Sequence, residues 1–265
     1  MPENEIIQDT AIRQEKEIAQ DSVVKEKEKT PPILSPKNTS KKSADNPCEA
    51  FNALNTQIRD GQIDKKTAQS RIKNLIPEIE GYYVENGGKN YPAEEWYFPL
   101  KGYDKSAIGG TNGSGYLPSG YDYFEGNKHK GHPAHDIFIR DKNQDDKDDQ
   151  ALEYVEVLSV TGGIVVATQP DWEAESPLRG GIYLWIYDPS CKSLFYYAHN
   201  HALTVSVGEI VSPGQSIAAV GRTGLNAYKE RSPTHLHLTQ LEISETGSPE
   251  SVNIYSKLIK AKTKK

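Results

Sequence analysis

Ile182-Tyr183-Leu184-Trp185-Ile186-Tyr187 and, a few residues later, Leu194-Phe195-Tyr196-Tyr197 decide the fold class, because short runs of β-branched and aromatic residues belong to strands. The same texture extends outward on both sides. Ile137-Phe138-Ile139, Tyr154-Val155-Glu156-Val157-Leu158 and Gly163-Ile164-Val165-Val166-Ala167 precede these runs, and Gln215-Ser216-Ile217-Ala218-Ala219-Val220 follows them between Pro213-Gly214 and Gly221 through Gly224. Gly, Asn and Asp punctuate the series, so from about Tyr91 onward the sequence predicts a mainly β protein built on antiparallel sheet.

Upstream the pattern is helical. Asn46-Pro47-Cys48-Glu49 supplies an N-cap, a proline at the first helical position and an early acidic residue. Phe51, Leu54 and Ile58 then recur at helical spacing as far as Gly61, and after Asp64 a second stripe of Ala68, Ile72, Leu75, Ile76 and Ile79 is interrupted by Pro77. Residues 46–85 therefore read as a helical hairpin packed beside the β-rich domain, its stripes serving as core. Residues 1–45 mix charges and lack aromatics, which leaves too little apolar surface to offset ordering entropy; they read as a disordered tether. Residues 251–265, with Lys257, Lys260, Lys262, Lys264 and Lys265, read as a solvated basic C-terminal tail.

Composition excludes some classes of partner. A net charge of −6 over 265 residues argues against nucleic acid or an anionic membrane as the main ligand. No apolar run is long enough to span a bilayer, and no signal-peptide pattern opens the chain. Cys48 and Cys191 lie far apart in sequence, so a bridge between them is not expected, and neither is placed as a nucleophile.

The histidines carry the chemistry. All 7 fall in three short segments, 129–135, 199–201 and 235–237. In extended chain His132 and Asp136 share a face while His135 points away, and His235 and His237 share a face. Two such strands side by side gather imidazoles and one carboxylate, and a catalytic zinc takes three protein ligands of these types plus water. The H-E-x-x-H arrangement of Glu-based metalloproteases is absent, which leaves histidine as the available base. His129 and His201 read as solvated loop residues, and His135 as a packing or solvent-facing one.

Gly131-His132-Pro133-Ala134-His135-Asp136-Ile137, Tyr197-Ala198-His199, Val211 through Ile217, Gly221-Arg222-Thr223-Gly224 and His235-Leu236-His237 resemble, in the usual order, the lysostaphin-type zinc metallopeptidases. The resemblance covers roughly Pro99 to Ile243. It implies a duplicated hybrid β-sandwich over residues 86–250, with His132, Asp136 and His237 binding one zinc ion per chain and His199 and His235 as the catalytic pair. It also implies a peptidoglycan peptide as substrate, the cleaved bond being open between D,D-type and glycyl. Action would lie in the cell envelope or outside the cell, with an export signal or lipid anchor expected to be missing from this chain. Many members have glycine where this sequence has Ala134, a residue small enough to keep the pattern.

Four further features need a reading. Gly109 through Tyr116 lacks the Lys-Ser/Thr end of a phosphate loop and reads as a mobile flank of the groove, with Tyr116, Tyr121 and Tyr123 as candidate stacking rings. Asp141 through Asp149 begins like a calcium loop but lacks its glycine and final glutamate, and reads as a solvated acidic connection. Asn226 through Pro233 would wall the cleft, with Arg222 or Arg231 available to a substrate carboxylate or serving as ordinary surface residues. Two rival functions stand beside the peptidase: a non-catalytic wall-binding or hydrolase-activating module of the same fold, and a structural zinc site closed by His135.

Overall fold

The computed structural model describes residues 46–265; the segment read as a tether, 1–45, lies outside the described residues. Helix α1 (Pro47–Arg59) starts where the Asn46 side chain accepts from the Cys48 N–H, and α2 (Lys65–Glu85) where Asp64 accepts from Thr67. Pro77 does not interrupt α2. Its missing N–H frees the carbonyl of Lys73, but both residues lie on the exposed face, where water can take the bond, so the helix runs on to Glu85.

Nine strands are found among the described residues: β1 (His135–Phe138), β2 (Glu156–Leu158), β3 (Gly163–Gln169), β4 (Ile182–Asp188), β5 (Ser193–Leu203), β6 (Ile210–Val211), β7 (Ser216–Val220), β8 (His235–Ile243) and β9 (Pro249–Val252). Every named pair is antiparallel, and the main path runs β1-β8-β5-β4-β3-β6. Strand β5 serves two layers. Its first half pairs with β4 and β8, and beyond His199 it pairs with β7, which in turn pairs with β2.

Alternation along these strands sorts the core into two layers. Val165, Leu184, Ile186, Phe195, Tyr197, Leu236 and Leu238 face Val157, Ile217, Ala218 and Val220. Ile164, Val166, Tyr183, Trp185, Tyr187, Leu194 and Leu241 face Phe51, Leu54, Ile58, Ile72 and Ile79 of the helices. The hairpin packs on one face of the sheet, and all of β4 is buried because both its faces are covered. Leu54 and Ile72 are fully buried, so truncating either to alanine costs about 2–5 kcal/mol.

The C-terminal stretch is docked, unlike the solvated tail expected from its lysines. Ile254 and Leu258, the latter on a short helix α3 (Tyr255–Leu258), enter the core, and the Lys262 backbone bonds to Trp96 and Phe98. Lys257 and Lys262 lay their ammonium groups over the Trp96 and Tyr97 rings. Both cysteines are free.

The acidic loop satisfies itself with backbone. Asp141 accepts from the N–H groups of Asp145 and Asp146 and from the Thr234 hydroxyl. Asp148 accepts from Arg140, Tyr103 and the N–H groups of Gln150 and Ala151. Burial alone would raise the Asp148 pKa, but these donors outweigh it and hold the carboxyl at about 2. Because Arg140 is half exposed and screened, the stabilisation is about 1 kcal/mol and not the full value of the shift. The folded-state pKa is depressed, so that stability is present above about pH 4 and is lost as pH falls toward 2. Asp148→Asn is expected to lower stability by that amount at neutral pH, with the denaturation curves of variant and parent converging below pH 4. A gap that persists at low pH would contradict this account.

Candidate metal centre

Strand register builds the site. Asp136 on β1 lies opposite His237 on β8, Phe138 lies opposite His235, and Ala198 on β5 lies opposite His237 from the other side. Asp136, His235 and His237 consequently project from the sheet face that carries the hairpin. His132 precedes β1 and is held by paired backbone bonds with Leu117, of 2.6 and 2.8 Å. From there its Nε2 comes within 3.2 Å of Asp136 Oδ1. His237 Nδ1 is 3.1 Å from the same oxygen, and His235 Nε2 is 3.7 Å away. His132, Asp136 and His237 each offer a ligand atom, all within 4.8 Å of one another, and no other such trio occurs among the described residues.

Main-chain carbonyls orient the rings. The Nδ1 atoms of His132, His199 and His235 sit 2.9, 2.8 and 2.7 Å from the carbonyl oxygens of Gly115, Thr223 and Pro233. A carbonyl only accepts, so in the neutral rings each Nδ1 carries the proton and each Nε2 lone pair is left for the cleft. Orienting acceptors of this kind commonly stand behind metal-binding histidines. Two imidazole nitrogens and a carboxylate oxygen at this spacing suit a divalent first-row metal, zinc among them.

His199 comes from the kink in β5. Its φ of 65° is unusual for a non-glycine residue, and the backbone is pinned by bonds to Gly180 and Gly221. The ring centroid lies 5.0 Å from His235 and 5.5 Å from His237. Gly224 is required beside it, since a Cβ there would stand 2.4 Å from the Arg179 carbonyl and 2.9 Å from His199 Nδ1.

The electrostatics follow from burial and from Asp136. Burial would raise the Asp136 pKa, but the adjoining imidazoles of His132 and His237, together with His235, hold it far below the ordinary carboxylate range. For His132, burial pulls downward and Asp136 more than compensates, so the net shift is upward. Burial, reinforced by the neighbouring His235 and His237, drives His199 well below its usual value, and burial lowers His237 as well despite Asp136.

The remaining residues singled out from sequence lie elsewhere. His135 is buried on the opposite side of β1, stacked on Tyr116 and bonded to Asn253, so it cannot close a metal shell with His132 and Asp136. His201 stacks on Tyr154 and meets Asp146, and His129 packs edge-on against Tyr121 at the lip of the cleft. Tyr123 is buried, bonded to Asn55, and lines the cavity next to the centre together with Tyr121. Arg222 is buried and consumed by the carbonyls of Ser232 and Lys229, which ties down the 226–233 wall and removes it as a carboxylate reader. Arg231 is exposed. Gly109 through Tyr116 is anchored to the centre: Gly109 donates to the Asp136 carbonyl and Gly115 accepts from His132.

Sequence reasoning missed those carbonyls, which no side chain advertises, and Arg179. The Gly180-Gly181 doublet following Arg179 was the available sign of a close backbone approach: a Cβ on Gly181 would stand 2.3 Å from Thr223.

Residues 148–249 match the model of Peptidase family M23. The matched stretch contains His199, His235 and His237; His132 and Asp136 lie upstream of it. None of the curated proteins matches the chain. Solved structures similar to it include a zinc-containing peptidase from Vibrio cholerae, at 20% identity over 59% of this chain and 39% of that one, TM-score 0.37. The antimicrobial peptidase lysostaphin from Staphylococcus simulans is 19% identical over 62% and 53%, TM-score 0.37. A candidate glycyl-glycine endopeptidase LytM from Ruminococcus gnavus is 21% identical over 89% and 94%, TM-score 0.42. The chain therefore spans 39% and 53% of the length of the first two.

Proposed function

We propose that this chain, whose residues 148–249 match Peptidase family M23, is a lysostaphin-type zinc-dependent endopeptidase that hydrolyses peptide bonds in the stem or cross-bridge of bacterial peptidoglycan. What supports the reading above all is the convergence of His132, Asp136 and His237 within 4.8 Å, with His199 and His235 alongside. In this reading the trio holds one zinc ion. Bound zinc would polarise a scissile carbonyl and bring the pKa of a water toward about 7.

The chain's own groups supply the rest. The Asp136 carboxyl is held far below the ordinary carboxylate range, so the ligand set carries one negative charge near neutrality. His199 and His235 present Nε2 to the cleft, and each neutral imidazole can accept a proton from water or donate one to a leaving amine. With its pKa driven down, His199 is uncharged at neutral pH and available as an acceptor. The aromatic rings of Tyr196 and Trp185, stacked at 4.4 Å beside His237, limit water on that flank. A site of action in the cell envelope or outside the cell belongs to the same proposal.

Digestion of purified cell-wall sacculi tests it. The metal-loaded protein is expected to release peptide-bearing fragments whose masses identify the cleaved bond, and a chelator should stop the release. Absence of release by fully loaded protein would dismiss catalysis in favour of a binding module.

A further inference from the structure

Two cavities meet at the metal centre. One, of about 260 Å³, is the cleft over His132, Asp136, His199, His235 and His237. The other, of about 90 Å³, continues along the same sheet face to the hairpin, where Asn55, Ile58 and Arg59 of α1 close it against Tyr183 and Trp185. Arg179, Tyr196 and His237 line both. The smaller cavity has room for a side chain or a chain end.

Its charge is lopsided. The only charged side chains on its wall besides the histidines are Arg59 and Arg179, and no carboxylate lines it. Arg59 is taken by Asp60 through bonds of 2.7 and 2.9 Å and by Gln169 at 2.6 Å. Arg179 spends one nitrogen on the His129 carbonyl, at 2.6 Å, and pairs with no carboxylate among the described residues. Its backbone is fixed by Asn127, so the guanidinium is held at the junction instead of sweeping through solvent. Beside it, Gly180 has no side chain where a Cβ would meet the Tyr196 hydroxyl at 1.9 Å, and that hydroxyl bonds to no described residue. Two donors without an anion therefore face the passage between the cavities.

We infer that Arg179 and Tyr196 read a carboxylate of the substrate, carried on the residue adjoining the cleaved bond and seated in the hairpin-walled cavity. The inference rests on the peptidase reading for its substrate class. Guanidinium and phenol are a donor pair suited to carboxylate, and the apolar wall of Trp185, Tyr183 and Ile58 accommodates a short alkyl stem. The carboxylate belongs either to an acidic side chain or to the end of a peptide.

Three synthetic peptides sharing the bond identified from sacculi separate these sources: one with all carboxylates free, one amidated on its side chain, one amidated at its C-terminus. The parent protein is expected to lose about tenfold or more in kcat/KM, mainly through KM, on one of the two amides, and which one names the source. Arg179→Ala should lose a similar factor on the free acid and almost nothing further on that amide, while Arg179→Lys keeps part of the activity and both variants keep full metal content. Equal rates on acid and amides, or an Arg179→Ala loss that is the same on every peptide, overturns the inference. Calorimetric binding of the same peptides to metal-loaded His235→Ala protein decides the matter without turnover. If nothing is cleaved, the peptidase reading falls, and acid-selective binding that Arg179→Ala abolishes still upholds the carboxylate site.

Discussion

His237→Ala is expected to release the metal and take hydrolysis with it. His237 is the ligand drawn from the centre of the sheet: β8 pairs with β1 on one side and β5 on the other, so its Cα is fixed by two ladders. Alanine there leaves His132 and Asp136, which cannot make a three-ligand set by themselves. Metal affinity should fall by more than about a hundredfold, a larger loss than removing an orienting partner brings. The fold should survive, because His237 faces the cleft while the apolar packing belongs to its neighbours Leu236 and Leu238. Metal analysis after gel filtration, together with circular dichroism, checks both halves of the expectation. A folded His237→Ala protein that retains stoichiometric zinc would remove His237 from the ligand set. His132→Ala should behave in the same way, the fold again intact, since His132 stands outside β1.

The parts of this arrangement that could be read from sequence were those written in side chains at fixed spacing. Alternation put Asp136 and His237 on defined faces, and the β-branched and aromatic runs at 163–167 and 182–187 became β3 and β4. Asn46 and Asp64 announced the two helix starts. What could not be read was set by partners distant in the chain. Which surface the hairpin stripe of Phe51, Leu54, Ile72 and Ile79 packs on depends on Tyr183, Trp185 and Tyr187, more than a hundred residues away from α1. Pro77 misled because it lies on the exposed face, where water can take the freed Lys73 carbonyl and the helix continues past it. The lysines of the C-terminal stretch misled in a related way: charge at five positions drew attention from Ile254 and Leu258, whose burial decides where the stretch lies. Arg222 was visible as a cation, but its engagement by two loop carbonyls was not.

Replacing His199 or His235 should give the opposite separation, metal retained and turnover lost. Neither ring is needed to complete the trio, and each already spends Nδ1 on a carbonyl, so only Nε2 faces the reaction. Losing a positioned general base or acid lowers rate by about 10²–10⁴-fold. For His199 the substitution must respect the backbone: at φ 65° asparagine is better tolerated than alanine, so His199→Asn keeps the kink between the two halves of β5. The expected result is a protein with parental zinc content and thermal stability, and kcat reduced by at least two orders of magnitude while KM changes little. His235→Ala should lose as much, and the double variant little more, because the two rings, 5.0 Å apart, act on the same proton path. Independent roles would instead make the losses multiply. A His235→Ala protein as active as its parent would leave His199 as the only histidine free to move a proton, and a His199→Asn protein of equal activity would exclude that as well.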